Sequence, residues 1–119
     1  MGVNIKGVKA VLKESQLERL LKREVERYGG KAMKFVSPGL SGVPDRLVLL
    51  PGGRVVFAEM KAPGEKPRPL QLKRKKDLEA LGFEVQVLDS TESVKAFVGR
   101  AFHGVQTASI SRARNQTHN

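Results

Sequence analysis

The stretch from Gly42 to Lys61, GVPDRLVLLPGGRVVFAEMK, narrows the choice of fold more than any other part of the chain. Two runs of aliphatic and β-branched residues flank Pro51-Gly52-Gly53, so the stretch reads as a β-hairpin with strands at about 45–50 and 54–61. If the loop is a symmetric three-residue turn, Leu50 faces Arg54, Leu49 faces Val55, Leu47 faces Phe57 and Asp45 faces Glu59. Side chains alternate along a strand, which puts Val55, Phe57, Glu59 and Lys61 on one face, as it does Asp45, Leu47 and Leu49. Two carboxylates then oppose each other with Cβ atoms about 5 Å apart, and bare like charges at that distance repel. A divalent cation between them resolves the conflict, because ions such as Mg²⁺ take oxygen ligands and are commonly held by one or two carboxylates plus water and phosphate oxygens. The inference depends on register, since a two-residue loop sets Asp45 opposite Met60. As isolated charges the residues also have a plainer reading, Asp45 in a turn and Glu59 and Lys61 on a solvent-facing edge strand.

Asp45, with Glu59-Met60-Lys61 further along, resembles the D-x(n)-E-x-K signature of the PD-(D/E)XK nuclease superfamily. Lys34-Phe35-Val36-Ser37-Pro38-Gly39, Gly42-Val43-Pro44-Asp45-Arg46, Pro51-Gly52-Gly53-Arg54, Glu59-Met60-Lys61 and Pro69-Leu70-Gln71 together resemble the VRR-NUC family, particularly its short stand-alone phage and bacterial members. The resemblance spans about residues 14–92. It departs at Met60, where the family usually carries a small aliphatic residue. That difference alters packing behind the site and not the ligands.

The rest of the composition agrees with a polyanionic partner. Net charge is +10, from 22 Lys and Arg against 12 Asp and Glu. Between Lys61 and Lys76 stand Lys61, Lys66, Arg68, Lys73, Arg74, Lys75 and Lys76 against a single acid, Glu65, whereas 14–27 balances its charges. A basic block beside an acidic metal site suits nucleic acid, whose phosphates supply sequence-independent affinity. One Tyr and five Phe advertise no base-stacking platform. The absence of cysteine excludes disulfides and thiolate zinc sites and is compatible with a reducing cytoplasm, and the two histidines, His103 and His118, are too far apart to suggest a metal cluster. No apolar run is long enough for a membrane span, and no signal peptide is expected.

Along the chain, 1–13 reads as a loose basic arm. Leu17, Leu20, Leu21, Val25 and Tyr28 recur at helical spacing and Gly29-Gly30 supplies the stop, so a helix is expected over 14–28. Glu14 falls within its apolar sector and Glu18 at the edge, and an inward-leaning carboxylate needs a partner. Glu18 is thus open between the metal site and a capping box with Ser15. In the family an acidic residue stands eleven positions before the helix-ending glycine, as Glu18 does before Gly29; Glu14 resembles a second commonly acidic position.

A strand is expected over 31–37, then the turn-rich loop 37–42, the hairpin, and a proline-rich basic loop over 62–69. A helix follows over 70–81 with Leu70, Leu78 and Leu81 inward, then a strand over 83–88 and a helix from about Thr91 to Phe102, with Val94, Phe97, Val98 and Ala101 as its stripe. Gln71 matches a glutamine of the family motif and is open between orienting water, Lys61 or a phosphate and plain solvent exposure. The chain after Gly104 lacks any period and reads as a disordered tail.

The expected fold is therefore mixed α/β in the order α-β-β-β-α-β-α, a small mixed sheet flanked by helices, with one domain over 14–103. This order looks like the PD-(D/E)XK restriction-endonuclease-like core. The resemblance implies a DNA nuclease using Mg²⁺ or Mn²⁺, with Asp45, Glu59, the Met60 carbonyl and Glu18 as ligands and Glu14 second to Glu18 on the helix. Lys61 orients or deprotonates water or stabilises developing charge, with Gln71 beside it. Lys66, Arg68, Lys73, Arg74, Lys75 and Lys76 are expected to meet DNA. The resemblance further implies branched DNA such as four-way junctions as substrate, a homodimer, and no small-molecule cofactor. Flap or single-strand cleavage, a non-catalytic DNA-binding accessory protein of recombination or repair, and a structural phage component are the alternatives.

Overall fold

The computed structural model describes residues 12–103; residues 1–11 of the expected arm over 1–13, and the expected tail over 104–119, lie outside the described residues. The first helix, α1 (Glu14–Arg27), buries Leu17, Leu20, Leu21 and Val25 along one stripe. Its entry is capped by Gln16, whose Oε1 accepts from the Lys13 N–H at 2.8 Å, so Glu18 plays no part in the cap. At the exit Gly29 takes φ +93°, the left-handed conformation that favours glycine.

The strands β1 (Lys31–Lys34), β2 (Arg46–Leu50), β3 (Arg54–Met60) and β4 (Glu84–Leu88) form one sheet in the order β1-β2-β3-β4. The first two pairings are antiparallel and β3–β4 is parallel. The hairpin has the register of a three-residue loop: Leu50 pairs Arg54, Leu49 Val55, Leu47 Phe57 and Arg46 Ala58. Asp45 stands one residue before β2, yet its carbonyl accepts from the Phe35 N–H at 2.9 Å and so extends the β1–β2 ladder. The first strand ends at Lys34 instead of reaching Ser37.

A parallel β3–β4 pair requires a crossover, supplied by α2 (Pro69–Ala80). Pro69 opens that helix, where a missing N–H costs nothing. The final helix, α3 (Thr91–Ala101), starts at Ser90, whose Oγ accepts from the Ser93 N–H at 3.0 Å, and buries Val94, Phe97, Val98 and Ala101 as expected.

Alternation along the strands divides the molecule into layers. Ala32, Val48, Leu50, Val56, Ala58, Met60 and Leu88 pack with the stripes of α1 and α3 into one core. Phe57 and Val85 are buried on the opposite face, where Phe57 meets Phe35 and Phe83 edge-on at centroid distances of 5.6 and 5.5 Å. The α2 helix crosses that second side and packs against β4.

One expectation fails here. Leu70 and Leu81 do not point inward; they are 41% and 74% exposed, and no residue of α2 is buried. Leu70, Leu78 and Leu81 share one side of the helical wheel, but the fold leaves Leu70 and Leu81 largely uncovered, so polar contacts help to tether α2. Gln71 Nε2 donates to Glu59 at 2.8 Å, Arg74 Nε donates to the Ser41 carbonyl at 2.8 Å, and Leu70 lies against Gly42, where a Cβ would come within 2.8 Å of it.

Candidate active site

The candidate site forms where the hairpin's open end meets the start of α1. On the α2 side of the sheet, Glu59 and Lys61 follow each other with the strand period of two, and both are 7% exposed. Lys61 Nζ lies 3.6 Å from Glu59 Oε2, which also accepts from Gln71 Nε2. The other oxygen, Glu59 Oε1, is buried without a hydrogen-bond partner. A buried carboxylate oxygen left unsatisfied is costly, and such an atom in a native site calls for a further ligand.

Asp45 is the hinge of the arrangement. Its Oδ1 accepts from the Met60 N–H at 3.0 Å, which fixes the side chain against the end of β3. From there it reaches α1: carboxylate oxygens of Glu14, Glu18 and Asp45 lie within 4.8 Å of one another. Both helix carboxylates named by the sequence thus stand at the site. Glu14, Glu18 and Asp45 offer clustered hard oxygen donors, and Glu59, close enough to Asp45 to feel its charge, adds a buried carboxylate oxygen with no hydrogen-bond partner. This donor set fits Mg²⁺ or Mn²⁺.

The electrostatics match the crowding. Glu59 is pushed up to about 6, first by burial and then by the Asp45 charge, with Lys61 pulling the other way. Glu14 is also raised, by burial foremost and then by Asp45, Glu18 and Glu65.

One residue escaped sequence reasoning. Arg46 Nη2 lies 2.6 Å from Glu18 Oε1, and its Nη1 donates to the Asp45 carbonyl at 2.9 Å. The inward lean of Glu18 is therefore met by a guanidinium as well as by its acidic neighbours. The signal was present: Arg46 shares strand parity with Val48 and Leu50, and an arginine on a core-facing position needs an anion. Gln71, by contrast, is resolved, because its Oε1 accepts from the Arg68 N–H at 2.8 Å while its Nε2 holds Glu59.

The expected DNA-binding residues divide into two groups. Lys73 and Arg74 lie 4.0 and 3.4 Å from Asp77, and Lys75 lies 2.9 Å from Glu79. Lys66, Arg68 and Lys76 are exposed and make no ion pair among the described residues. No helix among those residues is long and apolar enough to cross a membrane.

A sheet ending in clustered carboxylates, with a buried lysine two residues beyond one of them, defines a protein of the nuclease class. No family model matches the chain. A solved VRR_NUC domain superposes with a TM-score of 0.68 at 34% identity, covering 71% of this chain and 92% of that one. The protein "Putative nuclease p44" of Acyrthosiphon pisum secondary endosymbiont phage 1 is 55% identical over 82 residues, 69% of this chain and 88% of the relative. The chain belongs to the VRR-NUC family.

Proposed function

We propose that the protein is a divalent-metal-dependent endonuclease that hydrolyses DNA phosphodiesters through a PD-(D/E)XK-type site. The observation that carries this reading is the buried, unsatisfied Oε1 of Glu59, a side chain that pairs with Lys61 through its other oxygen and feels the charge of Asp45, itself clustered with Glu14 and Glu18. Asp45, Glu59 and Glu18 would hold Mg²⁺ or Mn²⁺, with Glu14 and the Met60 carbonyl as further donors. When bound, the ion supplies Lewis-acid polarisation of the scissile phosphate and acidification of water.

The chain's own residues do the rest. Hydrolysis joins a water oxygen to phosphorus and breaks one P–O ester bond. Lys61 as an ammonium orients the water and stabilises the charge that develops on the phosphate, or, once it has given up a proton, takes one from the water; the departing ester oxygen leaves as an alkoxide and is protonated by solvent. Gln71 positions Glu59 by occupying one of its oxygens, and Arg46 does the same for Glu18. The remaining oxygens are left for the cation.

The nuclease domain takes in residues 14–103, flanked by the basic arm and tail, and its workplace is the bacterial cytoplasm. We assign branched DNA, four-way junctions above all, as substrate and a homodimer as the working form. Net charge of +10 with few aromatics favours recognition of backbone shape over base sequence. The apolar side chains that α2 and its exit leave exposed, Leu70, Leu72, Leu81 and Phe83, support a second copy against that side. Two-fold symmetry would present two sites to a two-fold junction.

Cleavage of labelled junction, flap, single-stranded and linear duplex DNA with Mg²⁺, Mn²⁺ or EDTA tests the proposal. Paired cuts in the junction that vanish with EDTA and with Lys61→Ala are expected. Binding without cutting in any metal would make the protein a DNA-binding accessory instead.

A further inference from the structure

A cavity of about 230 Å³ opens between α1 and the β1–β2 edge, on the face away from α2. Its wall comprises Glu18, Arg19 and Lys22 of α1, Ala32 and Lys34 of β1, and Arg46 of β2. Four of these six residues are cations and one is an acid.

The cations are not all neutralised. Arg46 is paired with Glu18 at 2.6 Å, and Lys22 with Glu26 at 2.9 Å. Arg19 and Lys34 have no ion pair or side-chain hydrogen bond among the described residues, and both are exposed. Moreover, Lys34 and Arg46 are direct partners in the β1–β2 register. Like charges directly opposite each other on a sheet destabilise it. Nothing in the core requires that pairing, since a neutral polar residue at position 34 would fit an exposed edge equally well. With Arg46 paired to Glu18, the positive charge left over at this wall is that of Arg19 and Lys34, and two unneutralised cations beside a cavity suit an anion.

The cavity also shares two walls with the candidate active site. Glu18 is one of the clustered carboxylates, and Arg46 touches both Glu18 and Asp45. An anion seated there is therefore next to the reacting centre and on the side of the sheet opposite the basic α2. We propose that this cavity is a second phosphate-binding site, in which Arg19 and Lys34 hold a non-scissile phosphate of the DNA strand whose neighbouring phosphodiester lies at the acidic cluster. This deepens the nuclease reading and rests on it for the identity of the anion. It also routes the strand past the open end of the hairpin, from Glu59 and Lys61 on the α2 side of the sheet to Arg19 and Lys34 on the α1 side. Arg46 completes the pocket while keeping Glu18 in place.

The test is binding without cleavage. Fluorescence anisotropy of labelled duplex and junction DNA in EDTA is followed from about 50 to 200 mM salt, since log K falls against log salt concentration with a slope of about 0.9 per neutralised phosphate. The double variant Arg19→Gln/Lys34→Gln is compared with Lys95→Gln/Arg100→Gln, which removes the same charge from the exposed part of α3. The first pair should weaken binding about tenfold at low salt and flatten the salt slope by about one to two, well beyond the control. Arg19→Lys/Lys34→Arg should restore both. Equal losses in the two double variants, or a slope unchanged from wild type, would overturn the proposal. Far-UV circular dichroism checks folding, and each single substitution serves if a double variant misfolds. If wild type cuts no DNA in any metal while the selective binding loss stands, the phosphate site survives and the nuclease reading fails.

Discussion

At Glu59 a single side chain carries three conflicting demands: burial, a lysine 3.6 Å away and a nearby aspartate. Its pKa of about 6 lies above the ordinary 4.5, so the folded, metal-free protein binds that proton more tightly than the unfolded chain does. Stability of the metal-free protein should therefore rise as pH falls from above 6 toward 4.5, by at most about 2 kcal/mol, and thermal melts in EDTA across that range check the sign. A metal held by Glu59 would compete with the same proton. Mn²⁺ affinity measured by calorimetry should be flat above about pH 7 and fall by up to tenfold per unit below 6. Asp45→Ala, Glu59→Ala and Lys61→Ala should each abolish cleavage, with circular dichroism reporting a retained fold. Normal cutting by all three would end the nuclease assignment. Gln71→Ala removes the tether to Glu59 and the cap on the Arg68 N–H together, so it should cost about 1 kcal/mol of stability and lower the rate while the ligands remain.

Among the elements, α2 differs from α1 and α3 in kind. Those two bury four residues each in a shared core, whereas α2 buries none. Phe97→Ala in α3 should consequently cost about 3–5 kcal/mol, and Leu81→Ser beside α2 no more than about 0.5 kcal/mol, in urea unfolding. Gly42→Ala attacks the tether itself, because φ is +85° and a Cβ would lie 2.8 Å from Leu70 Cγ. Strain and overpacking there should cost about 1–3 kcal/mol and loosen α2. Hydrogen exchange should find the α2 amides less protected than those of α1 and α3 in wild type.

For the molecule as a whole, the two sides of the sheet have separate work. One holds the core under α1 and α3, and the other offers exposed leucines and Phe83 around a lightly attached helix. If that second side joins two copies, light scattering should give a dimer mass, and Leu72→Glu/Leu81→Glu should give a folded monomer. A monomeric wild type would count against paired junction cuts.

Much of this was legible in sequence because it is local. The turn Pro51-Gly52-Gly53 sets the register, the register sets Asp45 against the end of β3, and period two sets Glu59 beside Lys61. Helical periodicity likewise located α1 and α3. What spacing does not contain is the meeting of elements far apart in the chain. That Glu14 and Glu18 both reach Asp45, that Arg46 holds Glu18, and that Gln71 ties α2 to Glu59 all follow from how the layers stack. The burial of α2 was misjudged for the same reason, since whether an apolar side chain is covered depends on what lies above it. The sequence by itself located the four strands, the register of the hairpin and the carboxylate pair at its open end. Only the tertiary structure decided which carboxylates share one site and where the uncompensated cations lie, because Coulomb energy and desolvation depend on distances through space and not along the chain.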